Sequence, residues 1–178
     1  MIIKNDGSLW ACGNNGTGQL GLNDKNNRTT FTQVIANINN DVKQVACGDN
    51  FTIILKDDGS VWGSGYNGYR SLGLGDNVDR TTFTQITTNV NNDVKQIACG
   101  HRHTMILKND GSLWGCGYNN NGELGLNNVS QKDTLTKVTT NVNNDVKFVT
   151  CGMDYTFIIK NDGSIWGCGY NSNGNLGL

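Results

Sequence analysis

Residues 107–118 read Leu-Lys-Asn-Asp-Gly-Ser-Leu-Trp-Gly-Cys-Gly-Tyr, and this stretch decides the fold. Asp110-Gly111 lies between two apolar runs. In that setting Asp-Gly is a strong signal for a β-hairpin, because a tight primed turn needs positive φ at its centre. Segments 104–108 and 112–116 are therefore predicted to pair antiparallel. The same dipeptide recurs between apolar runs at three other places: Asp6-Gly7, Asp58-Gly59 and Asp162-Gly163.

The hairpin is part of an internal repeat of 52 residues that runs along the chain without insertion or deletion. A period of this size indicates the architecture before any single residue does. Three sets of residues keep the spacing: the tryptophans Trp10, Trp62, Trp114 and Trp166, the turn glycines Gly7, Gly59, Gly111 and Gly163, and the leucines Leu20, Leu72, Leu124 and Leu176.

Two further segments of each unit favour strands, so the unit is predicted to hold four. Segments 94–99 and 136–138 have β-propensity and partial polar/apolar alternation, and they flank the hairpin. A helical unit is excluded because no segment keeps a 3.6-residue apolar period and glycine recurs every few residues. A four-stranded unit of about 50 residues in tandem is typical of a β-propeller blade. The predicted fold class is an all-β propeller segment of about three and a half blades, forming one domain over residues 1–178.

Three motifs recur together at fixed spacing: Cys-Gly-x-x-(Phe/His/Tyr)-Thr, then Asp-Gly-Ser-(Leu/Val/Ile)-Trp-Gly-x-Gly, then Leu-Gly-Leu. Along the whole chain they resemble the repeat of the regulator of chromosome condensation family. The resemblance implies a seven-bladed propeller whose members act as guanine-nucleotide exchange factors, ubiquitin-ligase accessory domains, photoreceptors and protein-binding platforms. The chain departs from the family pattern in having no proline near Phe31, Phe83 and Leu135 and no insertion between repeats, which argues against exchange activity.

Composition excludes several classes of function. Fourteen Lys plus Arg against fifteen Asp plus Glu leave a net charge of −1, without the basic excess that a nucleic-acid backbone requires. No apolar run is long enough to cross a bilayer, and no secretory signal is visible. We expect no nucleic-acid or membrane partner and a cytoplasmic location.

Candidate catalytic and metal residues do not form a site in the sequence. The six cysteines fall at two repeat positions without a C-x-x-C pair, which favours small, buried, reduced thiols: Cys47, Cys99 and Cys151 at one, and Cys12, Cys116 and Cys168 at the other. His103 occupies a position held by Phe51 and Tyr155 in the other copies, which favours packing over ligation. We predict no catalytic residue, no metal and no cofactor.

Residues that break the repeat are the better candidates for partner binding, since packing alone would let them follow it. Arg70 replaces the glycines Gly18, Gly122 and Gly174, and a positive φ there would cost an arginine about 1 kcal/mol or more. Tyr69 beside it adds a second residue type common at interaction hot spots. Arg28, Arg80 and Lys132 are in register and are predicted to form a cationic row. The four tryptophans are predicted to pack between blades as structural anchors.

These features predict a non-catalytic module that presents loops to a protein partner. The alternatives are a regulatory exchange factor for a small GTPase, which would need a projecting wedge or an acidic loop cluster, and a structural repeat segment of a larger protein.

Ring closure raises a hypothesis about the oligomer. Propellers avoid exposed strand edges by closing into a ring. Two copies of the 178-residue chain supply close to the length of seven 52-residue repeats, so a homodimer is one way to complete the ring. The alternative is a chain that is stable only with further repeats. Light scattering separates them: the dimer hypothesis expects twice the mass of the chain, and a well-folded monomer contradicts it.

Overall fold

The computed structural model describes residues 1–177, and Leu178, the end of the predicted domain, lies outside the described residues. Within them the protein is all-β, with fourteen strands in four antiparallel sheets and no helix. We call the sheets blades 1 to 4. Blade 1 holds β1 (Ile2–Ile3), β2 (Leu9–Gly13) and β3 (Arg28–Val34), and blade 2 holds β4 (Val42–Cys47), β5 (Phe51–Lys56), β6 (Val61–Gly65) and β7 (Arg80–Ile86). Blade 3 holds β8 (Val94–Cys99), β9 (His103–Lys108), β10 (Leu113–Gly117) and β11 (Lys132–Lys137), and blade 4 holds β12 (Val146–Cys151), β13 (Tyr155–Lys160) and β14 (Ile165–Gly169).

The four-stranded unit and its predicted hairpin are confirmed in blades 2 and 3. In blade 3, β9 pairs with β10 from Leu107 opposite Leu113 to His103 opposite Gly117. The outermost strand, β11, begins four residues earlier than the predicted segment 136–138. Blades 1 and 4 each contain three strands among the described residues, so the four sheets form an open, partial propeller.

The hairpin turn is not the primed turn that the Asp-Gly pair predicts. In blade 2 the Gly59 amide donates to the Lys56 carbonyl at 3.0 Å, and the Lys56 amide donates to the Ser60 carbonyl at 2.9 Å. Positive φ occurs at Gly59 alone (82°), not at Asp58. This is a type I turn closed by a glycine bulge, the usual three-residue hairpin loop. Glycine is required for space as well, because a Cβ at Gly59 would lie 2.2 Å from the Asn92 carbonyl oxygen.

Each tryptophan ring is held by a hydrogen bond at its N–H edge and by a lysine over its face. The Trp62 indole N–H donates to Ser60 Oγ at 2.9 Å, and Lys56 Nζ lies 4.5 Å from the ring centroid. Lys56 is buried and also pairs with Asp41 at 3.1 Å. Trp10, Trp62 and Trp114 are half-buried, whereas Trp166 in blade 4 is exposed, so the indoles are less enclosed than the predicted packing between blades implies.

Three apolar clusters lie between successive blades, and each draws residues from both. The cluster between blades 1 and 2 contains Leu9 and Val34 from blade 1 with Ile54 and Phe83 from blade 2. Its counterparts join blade 2 to blade 3 and blade 3 to blade 4. Burial of this kind is non-directional, and it makes the stability of each blade depend on its neighbour.

The innermost strands are joined by glutamine side chains. The Gln44 amide donates to the Ile97 carbonyl at 2.9 Å and its oxygen accepts from the Ile97 amide at 3.1 Å. Gln96 makes the same pair of bonds to Val149, at 2.8 and 3.2 Å. The third copy of this position is Phe148, which is exposed. The glutamines set β4 against β8 and β8 against β12.

His103 is buried between blades 3 and 4, where its Nε2 lies 3.0 Å from Thr156 Oγ1. Burial lowers the pKa of its imidazole to about 4 from the ordinary value of 6.5. As pH falls, His103 therefore takes up a proton in the unfolded chain before it does so in the folded chain. The contribution of neutral, buried His103 to the free energy of unfolding is complete above pH 6.5 and is lost between pH 6.5 and about 4.

We predict that lowering the pH from about 7.5 to about 5 reduces the free energy of unfolding by roughly 2 kcal/mol through this residue. Urea unfolding at both pH values measures it. His103→Phe is the matched control, because Phe51 occupies the equivalent position in blade 2. The variant keeps His101 and every carboxylate, so an equal loss of stability in the variant would show that His103 is not the cause.

Candidate functional site

The two ends of the blades differ in how strictly they follow the repeat. We call one end the loop face: it holds the short turns 48–50, 100–102 and 152–154 and the long loops 14–27, 66–79, 118–131 and 170–177. The opposite end carries the Asp-Gly-Ser hairpins and the Asn-rich linkers, which are nearly identical between copies. On the loop face the repeat breaks: the middle turn carries His101 and Arg102 where the first has Asp49 and Asn50. Variation at this end favours the loop face for binding.

An arginine packed against two of three clustered tyrosines lies on the loop face between blades 2 and 3. The Tyr69 ring meets Tyr66 and Tyr118 edge to face, each at 5.6 Å between centroids. The Arg102 guanidinium carbon lies 4.5 Å from the Tyr69 centroid and 5.7 Å from that of Tyr118. Cation–π contacts of this kind hold a charge against an aromatic surface without neutralising it. We call these four residues the arginine–tyrosine cluster.

Backbone hydrogen bonds fix this cluster in place. The Arg102 carbonyl accepts from the Tyr118 amide at 2.9 Å and from the Ser71 hydroxyl at 2.7 Å. Along the same turns the Asp49 amide donates to the His101 carbonyl at 3.1 Å. The turns of neighbouring blades are thus tied together, and the cluster is held before any partner arrives.

The cluster borders a cavity of about 300 Å³ that is lined mostly by the loops of blade 2, with residues of blades 1 and 3 at its sides. Its lining includes Tyr66, Tyr69, His101 and Arg102. His101 Nε2 lies 3.0 Å from Asp49 at the rim. Arg102 Nε is buried without a hydrogen-bond partner within residues 1–177, and no carboxylate there pairs with its guanidinium. The cavity therefore presents a positive charge that no carboxylate of the described chain neutralises, flanked by aromatic rings and phenol hydroxyls.

Arg70 adopts the strained backbone that its position requires. Its φ is 58°, close to those of the glycines that replace it in the other copies. Its Nε lies 2.8 Å from Asp133 on blade 3, and both side chains are partly exposed. Between blades 1 and 2 the equivalent residues are Gly18 and Thr81, so the ion pair replaces a close glycine–threonine contact. Arg70 is partly committed to the contact between blades, whereas Tyr69 belongs to the cluster.

The predicted cationic row is largely paired within its own blades. Arg28 lies 2.5 Å from Asp24, and Arg80 lies 2.6 Å from Asp76. Hydrogen bonds from these arginines hold the pKa of both aspartates below the ordinary value. The aspartate position becomes Asn128 in the copy that holds Lys132, so Lys132 has no such partner there. The row therefore offers little free charge.

The cysteines are all free thiols, but the prediction that they are buried is wrong for most of them. Cys116 is buried, four are half-buried and Cys47 is exposed. Burial raises the pKa of the Cys116 and Cys151 thiols to about 12, so these two are poor nucleophiles. Within residues 1–177 no group of three or more His, Cys, Asp or Glu side chains could hold a metal ion. No helix in the described part of the chain is long and apolar enough to cross a membrane.

The arrangement of blades and the repeat motifs define a class, the tandem-repeat β-propeller. A model of the regulator of chromosome condensation (RCC1) repeat matches residues 6–55, 58–107 and 110–159, and a second model of that repeat matches 42–70 and 94–123. The chain belongs to the RCC1 repeat family.

Relatives and solved structures agree with this family. The chain is 29% identical to the ultraviolet-B receptor UVR8 of Arabidopsis thaliana over all 178 residues, and 36% identical to the human X-linked retinitis pigmentosa GTPase regulator over 72% of the chain. It spans 40% and 13% of those proteins. Human WBSCR16 matches 99% of the chain with a TM-score of 0.87 at 24% identity, over 46% of its own length. Yeast RCC1 (Prp20), solved bound to Kap60, matches 95% with a TM-score of 0.80 at 23% identity, over 41% of its length.

Sequence reasoning singled out Tyr69 and missed Arg102. The signal was weaker than for Arg70, which replaces a glycine shared by three copies, because the position of Arg102 varies in every copy: Asn50 and Asp154 occupy it in the others. What the sequence could not give was its neighbour, since Tyr69 and Arg102 come from different blades.

A double-mutant cycle tests the contact between Arg70 and Asp133. We predict a coupling free energy of about 0.5 kcal/mol, because both side chains are partly exposed. Arg70→Gly and Asp133→Thr restore the pair found between blades 1 and 2, and Arg70→Gly alone should relieve about 1 kcal/mol of backbone strain. Urea unfolding measures both. If Asp133→Thr costs the same with Arg70 and with glycine at position 70, the ion pair contributes nothing.

Proposed function

We propose that this chain is a non-catalytic protein-binding module that uses the arginine–tyrosine cluster on its loop face. The observation that carries the proposal is the Arg102 guanidinium, which lies against Tyr69 with no carboxylate partner within residues 1–177. Arginine and tyrosine are the residue types that most often dominate interaction energies. A cluster fixed by backbone hydrogen bonds also loses little conformational entropy on binding.

The family supports a protein-binding or regulatory module. Yeast Prp20, a protein of the same fold, is crystallised with Kap60 and is described with binding properties towards Gsp1p and histones. Those partners belong to Prp20. For this chain the fold supports the general idea that propeller loops contact another protein.

Charge indicates the kind of partner surface. An arginine guanidinium between aromatic rings pairs well with a carboxylate, which can accept two parallel hydrogen bonds. The phenol hydroxyls of Tyr66 and Tyr69 can add donors at the same rim. We infer that the partner inserts an aspartate or glutamate side chain beside Arg102.

Exchange of guanine nucleotide is the second candidate, favoured by the 36% identity to the human GTPase regulator. Blades 2 and 3 follow each other without an inserted segment between them, and an inserted wedge is what the family resemblance associates with exchange. A nucleotide-release assay against candidate small GTPases tests this alternative.

The location of the chain in a reducing cytoplasm stays a prediction.

We predict that Tyr69→Ala combined with Arg102→Gln lowers recovery of the direct partner at least about tenfold, since two central contacts are lost. Quantitative pull-down measures the recovery, and titration with the purified partner then measures the affinity of each variant. Tyr69→Ala with Arg70→Gly tests the same loop while the Arg102 side chain itself is kept.

The matched control is Lys137→Gln, which removes one positive charge at the opposite end of blade 3. It should leave partner binding unchanged, because Lys137 lies near the hairpin end of β11. Equal recovery with the Tyr69–Arg102 double variant and with the wild-type chain would exclude the cluster as the contact surface.

A further inference from the structure

The innermost strands β4, β8 and β12 each contain a β-bulge at the same repeat position. In β4 the register with β5 shifts between Val42 and Gln44, which leaves Lys43 as the inserted residue. A bulge bends its strand and changes the direction of the extra side chain. The other two innermost strands shift register at the equivalent place, and their inserted residues are Lys95 and Lys147.

The bulge keeps the apolar side chains of an innermost strand on one face. Val42 and Val45 both pack into the cluster between blades 1 and 2, although residues three apart in a regular strand point to opposite faces. The inserted lysine absorbs the difference and is exposed in all three copies. Packing therefore requires an extra residue at this position, but it does not require a charged one.

The three inserted lysines have no acidic partner within residues 1–177. The lysines of the hairpin strands, by contrast, are each paired with an aspartate and lie over a tryptophan: Lys56, Lys108 and Lys160. Blade 2 has a further aspartate, Asp57, whose amide donates to the carbonyl just before β4. Neutral Asn109 and Asn161 replace it in blades 3 and 4, so positive charge is least compensated there.

The inserted lysines form a row along the inner rim of the partial propeller, and we call Lys43, Lys95 and Lys147 the lysine row. β8 contacts β4 on one side and β12 on the other, with Cα atoms of neighbouring strands within 8 Å. The Gln44 and Gln96 side chains hold the three strands in one register. Lys95 therefore has a described neighbouring strand on both sides. Three like charges one strand apart repel each other, and a partner of opposite charge removes that repulsion.

We propose that the lysine row binds an extended acidic segment of a partner protein that carries Asp or Glu at every second residue. Alternate side chains of an extended chain project to the same side about 6.8 Å apart. This spacing is compatible with that of the innermost strands, so a segment that crosses them places one carboxylate beside each lysine. Strands β4 and β8 carry no aromatic residue for the stacking that single-stranded nucleic acid uses, which favours a protein segment.

The lysine row is separate from the arginine–tyrosine cluster. It lies near the hairpin end of the innermost strands, where the Val42 amide donates to the Gly7 carbonyl in the hairpin turn of blade 1. The cluster lies on the loop face, at the other end of the blades. Each proposal can therefore fail without the other.

A heptapeptide with three aspartates separated by serines, Ser-Asp-Ser-Asp-Ser-Asp-Ser, tests the row. Titrated into the isotope-labelled full chain, it should shift the amide resonances of Lys43, Lys95 and Lys147 saturably. Binding should be several-fold weaker at about 150 mM than at about 50 mM salt, because exposed ion pairs are screened. A peptide of the same composition with its three aspartates contiguous should bind at least about threefold more weakly, since fewer of its carboxylates meet a lysine.

Variants of the chain test the placement of the charges. Lys95→Gln with Lys147→Gln should weaken binding of the alternating peptide about fivefold, because two charge pairs are lost. The matched control is Lys25→Gln with Lys137→Gln, which removes the same charge away from the inner rim and should keep the wild-type affinity. Amide spectra of both variants show whether the fold is kept.

Four results would overturn the proposal. The first is no saturable shift at the lower salt concentration, and the second is a shift at Tyr69 and Arg102 in place of the row, which would put the peptide in the cluster. The third is equal weakening in the row variant and in its control, since net charge alone would then explain binding. The fourth is a short oligothymidylate that displaces the peptide and binds the row more tightly, because the row would then take phosphates.

Discussion

Each apolar cluster in residues 1–177 is built from two successive blades, so a blade needs its neighbour to bury its apolar side chains. This constraint governs the rest of the structure. The inward residue of each outermost strand enters the apolar cluster of the preceding blade: Phe83 and Leu135 are almost completely buried for this reason. Phe31 occupies the same position in blade 1, where the described chain has no preceding blade, and it is 49% exposed. One residue type at one repeat position thus has opposite environments, set only by whether a neighbouring blade is present.

This dependence explains which parts of the sequence repeat closely and which diverge. The turn glycines, the Lys–Trp–Ser contacts and the inward apolar residues serve contacts that recur from blade to blade wherever a neighbour is present, so each copy keeps similar chemistry. The loop face carries fewer such contacts. His101, Arg102 and Tyr69 accumulate there, and they come together because consecutive blades place their loops side by side.

The period of 52 residues was enough to predict the class of fold, the Asp-Gly pairs predicted the hairpin pairing, and the resemblance of three recurring motifs indicated the family. They could not predict the turn type, because Asp-Gly is compatible with a primed turn and with a type I turn closed by a glycine bulge; the hydrogen bond from Lys56 to Ser60 decides between them. Burial of the cysteines was also beyond the pattern, since Cys47 and Cys99 share a repeat position but differ in what covers them. The candidate site depends on neighbours from two blades, and a linear period does not show which loop residues meet.

The glutamine bonds connect the fold to the site. Each of Gln44 and Gln96 bonds to both the amide and the carbonyl of one residue in the next innermost strand, so a slip of a single residue would break both bonds at once. These bonds fix the register of one innermost strand against the next. They therefore also fix how the loop-face turns of neighbouring blades lie beside each other. The Asp49 amide then meets the His101 carbonyl, and Arg102 is placed over Tyr69. Half-buried glutamine bonds between the innermost strands thus set the geometry of a charged cluster on the loop face.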